Sequence, residues 1–155
     1  MVFPQFTNLQ VEAWLHASRL GSSEQALCLF RANALNAEPI RQALLMLGSS
    51  EQPARISLQF AANSRTHEIR RLRLELVDPT DHLRVMNITA EADEASIRLT
   101  LLGLDLLTRA VNSWLDGVED FGVSPRNSRL PRKELGLLDR SSLELWFWGP
   151  TYHGP

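Results

Sequence analysis

Side chains that could bind a metal or act as a nucleophile are few and widely separated in this sequence. Cys28 is the only cysteine, and it lies in the apolar run 26–30, which predicts a buried thiol without special reactivity. The four histidines are His16, His67, His82 and His153. No two of them stand at metal-ligand spacing, and the motifs of phosphate-binding loops, dinucleotide folds and nucleophile elbows are absent. We therefore expect no metal, no cofactor and no catalytic residues of a familiar type.

Acid–base chemistry has two candidate locations. The first is the acidic turn of Glu91, Asp93 and Glu94, for which the sequence favours a solvated turn. The second is the carboxyl end of a predicted helix. Asp116 and Asp120 follow Trp114 there, and burial could separate the pKa values of such paired carboxylates. A pocket formed by Trp114, Asp116 and Asp120 would bind a small molecule, with the irregular segment 117–142 as its lid. The alternative is a solvated helix end, which the sequence favours.

The strongest unusual feature is an aromatic cluster near the end of the sequence. In a predicted strand over 143–148, Trp146 and Trp148 face one side while Leu145 and Phe147 face the other, so both sides are apolar. One interpretation is a central strand that is covered on both faces. The other is an edge strand that presents Trp146 or Trp148, together with Tyr152, to a partner protein or to a second copy of the chain.

Two groups of arginines could also bind a charged partner. Arg126, Arg129 and Arg132 lie in the irregular segment shortly after a run of carboxylates, which indicates either local charge pairing or a dipolar interface. Arg71 and Arg73 share the outer face of another predicted strand. Glu75 and Arg84 are their expected neighbours there, so a neutralised solvent face is favoured over a nucleic-acid patch.

Composition limits the class of protein. The chain has 155 residues, of which 44% are hydrophobic and 22% charged, which is typical of one globular domain over 1–155. Sixteen basic and eighteen acidic residues give a net charge of −2, which argues against nucleic acid as a partner. The first residues do not resemble a signal peptide, and the apolar runs are too short to cross a membrane. We expect a soluble, cytoplasmic protein, and the near-exclusive use of arginine over lysine suggests a bacterial source.

The periodicity of apolar residues predicts an α+β fold. Alternation over 9–16 and the apolar run 26–30 indicate a hairpin, and helical spacing indicates helices over 37–47 and 103–116. Further strands are predicted near 56–60, 72–76, 83–87 and 97–101. Together these elements predict a mainly antiparallel sheet of six or seven strands, with two helices packed on one face.

The turns predict a register for this sheet. A turn over 78–81 would place Leu76 opposite Leu83 and Leu74 opposite Val85, with Glu75 facing Arg84. A three-residue loop over 92–94 would then place Thr89 opposite Ile97, so that Ile97 joins the buried face.

Three functions are consistent with these features. We favour a non-catalytic protein–protein interaction module, such as an inhibitor or an immunity-type partner. Small α+β domains with few catalytic residues are broadly similar in architecture to the immunity proteins of bacterial toxin systems, although no shared motif supports the similarity. The alternatives are a small-molecule-binding protein or unfamiliar enzyme that uses 117–142 as a lid, and a structural subunit of a homo-oligomer such as a homodimer.

Overall fold

The computed structural model describes residues 6–17, 25–49, 54–61, 68–80, 83, 85–118, 121–123 and 142–150. Within these ranges the strands are β1 (Phe6–Leu9), β2 (Val11–Ala17), β3 (Gln25–Arg31), β4 (Ala54–Phe60), β5 (Arg71–Leu76), β6 (Met86–Glu91), β7 (Glu94–Leu99), β8 (Phe121–Val123) and β9 (Glu144–Trp148). The α-helices are α1 (Glu38–Gly48) and α2 (Leu101–Leu115), and a short 3₁₀ helix (Ala34–Ala37) precedes α1.

The described strands form two mixed sheets. Sheet A has the order β1-β4-β5-β7-β6, and the short β1 joins it along β4 with an irregular register. Sheet B has the order β2-β3-β9-β8. The α+β class and the two helices are confirmed, but the single, mainly antiparallel sheet is wrong. Three strand pairs are parallel: β1 with β4, β5 with β7, and β3 with β9. Periodicity identifies strands but does not identify their partners, and parallel partners lie far apart in sequence.

The predicted amino-terminal hairpin is confirmed. Strands β2 and β3 pair antiparallel, with Trp14 opposite Cys28 and Ala13 opposite Leu29. The two faces of β3 are buried in two separate hydrophobic clusters, and β9 pairs in parallel with its other edge. The hairpin therefore forms half of sheet B, and β9 completes its centre.

The predicted register of sheet A is wrong in two places. Strand β7 lies between β5 and β6, so Glu75 lies opposite Arg98 and Arg55, while Arg84 falls outside the described residues. Ile88 lies directly opposite Ile97, across the two-residue turn 92–93. The physical reason is that Ile88 belongs to the buried face, with 1% of its surface exposed, whereas the prediction had placed it outside.

Side-chain hydrogen bonds cap the 3₁₀ helix and α2. Asn33 and Asn36 form a reciprocal capping box on the 3₁₀ helix, and α1 follows it directly without a side-chain cap of its own. The Thr100 hydroxyl accepts a hydrogen bond from the Gly103 amide at 3.3 Å and caps α2. The observed helices begin and end within two residues of the predicted bounds.

The hydrophobic core lies between the two helices and the inner faces of both sheets. Both helices contact sheet A, and α1 packs against α2 where Gly48 near the end of α1 lies beside Leu104 near the start of α2. The inner faces of both sheets and the helices contribute to one continuous cluster. The opposite side of sheet A, here called the outer face, is mostly polar, and no helix of the described residues packs on it. It consists of Arg55, Ser57, Gln59, Arg71, Arg73, Glu75, Asn87, Thr89, Glu91, Glu94, Ser96 and Arg98.

The start of α2 packs directly against the backbone before β6. The Val85 carbonyl accepts hydrogen bonds from the Thr100 amide at 3.1 Å and from the Thr100 hydroxyl at 3.2 Å. A Cβ atom added to Gly103 would lie 1.9 Å from the same carbonyl oxygen. Because two hydrogen bonds fix this oxygen, a larger residue at 103 would have to displace the helix.

We expect Gly103→Ala to lower the free energy of unfolding by about 1–3 kcal/mol because of this overlap. The loss should exceed the advantage of about 1 kcal/mol that alanine has over glycine inside a helix. Urea denaturation followed by circular dichroism measures the effect. Asn112→Ala, on the exposed side of α2, is the control and should change stability by no more than about 0.5 kcal/mol. A Gly103→Ala variant as stable as the wild type would contradict this packing.

Candidate functional site

One face of sheet B is lined by aromatic rings. Trp14, Cys28 and Trp146 lie in one row across the strands. The Trp148 ring reaches across β3, with its centroid 5.5 Å from that of Trp14 and 6.0 Å from that of His16. Of the β3 residues on this face, Ala26 and Cys28 are small, whereas Phe30 lies opposite Trp148 and also packs against Trp14, with 6.3 Å between the ring centroids. Trp14, Cys28 and Trp148 are fully buried.

The inner face of β9 fixes the end of α2. The Trp114 indole N–H donates to the Trp148 carbonyl at 3.0 Å, and the Trp114 ring packs against Phe147 at a centroid distance of 5.2 Å. Arg31 lies over the Trp114 ring at 5.6 Å, and its guanidinium donates to the Trp114 carbonyl at 2.6 Å. A cation at a helix carboxyl end is stabilised by the helix dipole. Trp114 is therefore a structural residue that joins a helix to two strands.

Of the site residues that the sequence suggested, the structure brings Trp114 and Trp148 into contact in the interior and leaves Asp116 at the surface. Trp146 and Trp148 lie on a strand between β3 and β8, not at a sheet edge, and both are buried within one chain. Their interface role stays a prediction, and their burial supports the alternative of a strand covered on both faces. Trp114 is fully buried, whereas Asp116 is exposed at the end of α2. The remaining candidates lie outside the described residues: Asp120, Arg126, Arg129, Arg132 and Tyr152.

The outer face of sheet A carries its charges in three rows across the strands. The first row is Gln59, Arg71, Glu94 and Glu91, the second is Ser57, Arg73, Ser96 and Thr89, and the third is Arg55, Glu75, Arg98 and Asn87. Acidic residues gather in the first row, near the turn between β6 and β7. The third row contains two arginines on either side of one glutamate.

Ion pairs connect the first two rows. Arg71 donates to the Asp93 carboxylate at 2.9 Å, and Arg73 lies 3.1 Å from Glu94. Arg73 also lies 3.6 Å from the Glu75 carboxylate. The prediction of a neutralised solvent face is correct for Arg71 and Arg73. Asp93 and Glu94 were missed as their partners, because that pairing depends on the parallel arrangement of β5 and β7.

A cleft opens on this face beside the ion pairs. Its volume is about 250 Å³, and its lining includes Phe6, Ser57, Gln59, Arg71, Arg73 and Glu94. The side chains of Ser57 and Gln59 make no hydrogen bond with other described residues, so their donors and acceptors face the cleft or solvent. The cleft thus combines a hydroxyl, an amide, two guanidinium groups and a carboxylate on rigid strands.

The turn next to the cleft holds an unfavourable backbone conformation. Ala92 has a φ angle of 55°, in the left-handed region that residues other than glycine avoid. The adjacent Asp93 carbonyl accepts from the Arg70 amide at 2.8 Å and from the Arg71 amide at 3.2 Å. These bonds hold the turn against the start of β5. Strained residues that are held in this way are concentrated at binding sites.

Arg71 also sets the electrostatics of the turn. Its hydrogen bond and its positive charge hold the pKa of the Asp93 carboxyl below its ordinary value, and the same pairing raises the pKa of Arg71. Glu91 lies opposite Glu94, and two carboxylates in that position repel each other. Within the described residues, no group of three or more histidine, cysteine or acidic side chains could hold a metal ion.

We expect Asp93→Asn to destabilise the protein at pH 7 and to have a smaller effect at pH 3. The folded-state pKa of Asp93 is lowered, so its contribution is present above the ordinary aspartate pKa and is lost as the pH falls through the folded value. Urea denaturation at both pH values gives the difference. Asp105→Asn, which removes an exposed ion pair with Arg109 on α2, is the control. An equal effect of Asp93→Asn at both pH values would show that the charge on Asp93 does not stabilise the fold.

We expect Trp148→Ala to lower the free energy of unfolding by about 3–5 kcal/mol, because it removes a fully buried ring. Urea denaturation and light scattering should be measured together. Leu101→Ala, at an exposed position of α2, should change stability by no more than about 0.5 kcal/mol. If Trp148→Ala kept its stability but a wild-type dimer dissociated, Trp148 would instead belong to an interface.

No known protein family, curated protein or solved structure matches this chain. Among the described residues, no helix has both the length and the apolar character that crossing a bilayer requires.

Proposed function

We propose that this protein is a non-catalytic protein-binding module and that the outer face of sheet A, with its cleft, is the binding face. The observation that carries this proposal is the construction of the cleft. Rigid strands hold charged and hydrogen-bonding side chains around it, and Ser57 and Gln59 keep unused hydrogen-bonding groups there. An inhibitor or immunity-type protein needs a face of this kind, because it acts by covering a partner.

The unfavourable features around the cleft support a role beyond stability. The left-handed Ala92 and the opposed Glu91 and Glu94 both reduce the stability of the β6–β7 turn. Both lie beside the cleft. The positive φ of Ala92 follows from the two-residue hairpin turn itself, whereas the turn does not require the opposed carboxylates of Glu91 and Glu94.

The size of the cleft favours a protein side chain over a metabolite. Sites for small molecules usually occupy about 300–1,000 Å³ and are mainly apolar. This cleft has about 250 Å³ and a lining rich in charged and polar groups. Polar and charged surfaces of this kind give protein interfaces their specificity and increase the rate of association.

The test compares how much of a partner protein is recovered by two variants, each of which replaces a small exposed residue by tryptophan. Ser57→Trp places an indole in the cleft, and Asn112→Trp places one on the exposed side of α2. Both positions are exposed, so both variants should melt like the wild type. In affinity purification from the source organism, we expect Ser57→Trp to recover a stoichiometric partner at least about tenfold less than the wild type, and Asn112→Trp to recover it fully.

Two outcomes would contradict the proposal. Equal recovery by both variants would mean that the partner binds elsewhere. Absence of any stoichiometric partner of the wild-type protein, together with a thermal shift by a metabolite that Ser57→Trp abolishes, would indicate a small-molecule site instead.

A further inference from the structure

The charges on the outer face of sheet A are not distributed evenly between its ends. In the first row, Arg71 is paired with Asp93, and Glu94 is paired with Arg73 of the second row. In the third row, Arg55 and Arg98 lie on either side of Glu75. The end of the face that holds the third row thus has more basic than acidic side chains.

Glu75 does not neutralise its two neighbours. Its carboxylate lies 3.6 Å from Arg73 of the second row. Arg55 and Arg98 make no ion pair or hydrogen bond with any other described residue, and both are exposed. At the opposite end of the face, Glu91 of the first row also makes no ion pair with a described residue, so the unpaired charge there is negative. The unpaired charge of the third row is therefore positive.

The two arginines have a defined spacing. They occupy β4 and β7, which are separated only by β5, so their backbones lie about 10 Å apart. A guanidinium group binds a carboxylate through two parallel hydrogen bonds, which fixes direction as well as charge. Two such groups on rigid strands fit a surface that presents two carboxylates at a similar separation. A helix offers this spacing between residues i and i+7, which are about 10.5 Å apart along its axis.

We infer that the partner presents an acidic protein surface to Arg55 and Arg98, and this inference rests on the proposed function. Nucleic acid is the less suitable occupant, because the third row holds no aromatic side chain beside Arg55 and Arg98 on which a base could stack. Phe6 lines the cleft at the other end of the face, where it is partly buried against the core. The arginines bind carboxylates of the partner at one end of the face, and the cleft receives a side chain of the partner at the other end.

The experiment uses hexaglutamate as a probe and amide chemical shifts as the readout. We expect hexaglutamate to perturb the amides of Arg55, Glu75 and Arg98, with an affinity on the order of millimolar that weakens as salt rises from about 0.05 to 0.3 M. Arg55→Gln with Arg98→Gln should weaken this binding at least about fivefold. The control removes two charges elsewhere, by Arg41→Gln with Arg109→Gln on the helices, and should weaken it less than about twofold.

Other results would overturn the inference. Equal weakening by the two double variants would mean that only net charge matters. Tighter binding of a hexathymidine oligonucleotide at the same amides would assign the face to nucleic acid. If Ser57→Trp abolishes recovery of the partner but the Arg55 and Arg98 double variant recovers it fully, the inference fails while the proposed function stands. If Ser57→Trp and the Arg55 and Arg98 double variant both recover the partner fully, the inference and the proposed function are both wrong.

Discussion

The indole N–H of Trp114 donates a hydrogen bond to the carbonyl oxygen of Trp148, and this contact connects the helical layer to the centre of sheet B. The same indole ring packs against Phe147 and lies under the guanidinium of Arg31. One side chain thus joins α2, β3 and β9, which are distant in sequence. Because α2 also contacts sheet A, this residue links the helical layer to both sheets. The sheets are joined directly as well, since the Ile69 amide donates to the Ala13 carbonyl at 2.8 Å and the Leu143 amide donates to the Ile88 carbonyl at 2.9 Å.

The candidate site depends on a second constraint, the parallel pairing of β5 with β7. That pairing places Glu94 opposite Arg71 and Arg98 opposite Glu75, and so determines which charges are neutralised. An antiparallel neighbour would have brought a different set of side chains beside the arginines. The hydrogen bonds from Arg70 and Arg71 to the Asp93 carbonyl hold the β6–β7 turn where this register requires it. The pattern of charge on the outer face is therefore a property of the topology.

Local features of the fold could be predicted from the sequence, because their signals are local. The period of apolar residues located both helices, and the β2–β3 hairpin followed from alternation and a turn. Pairing between distant segments could not be predicted, since nothing in residues 71–76 identifies 94–99 as their neighbour. The ion pairs of Arg71 and Arg73 with Asp93 and Glu94 were missed for this reason. The aromatic cluster was noticed, but one sequence does not reveal whether its rings face the interior or a partner.

The parallel pairing of β3 with β9 has a consequence for synthesis on the ribosome. Strand β3 ends at residue 31, and its partner β9 begins at residue 144, so more than a hundred residues must be made before sheet B can be completed. Until then the hairpin of β2 and β3 has an unpaired edge along β3, the strand that is apolar on both faces. Contacts between such distant segments also slow folding. The nascent chain is therefore most vulnerable to aggregation before its last described strand emerges, and a chaperone that binds extended apolar segments would act in this interval.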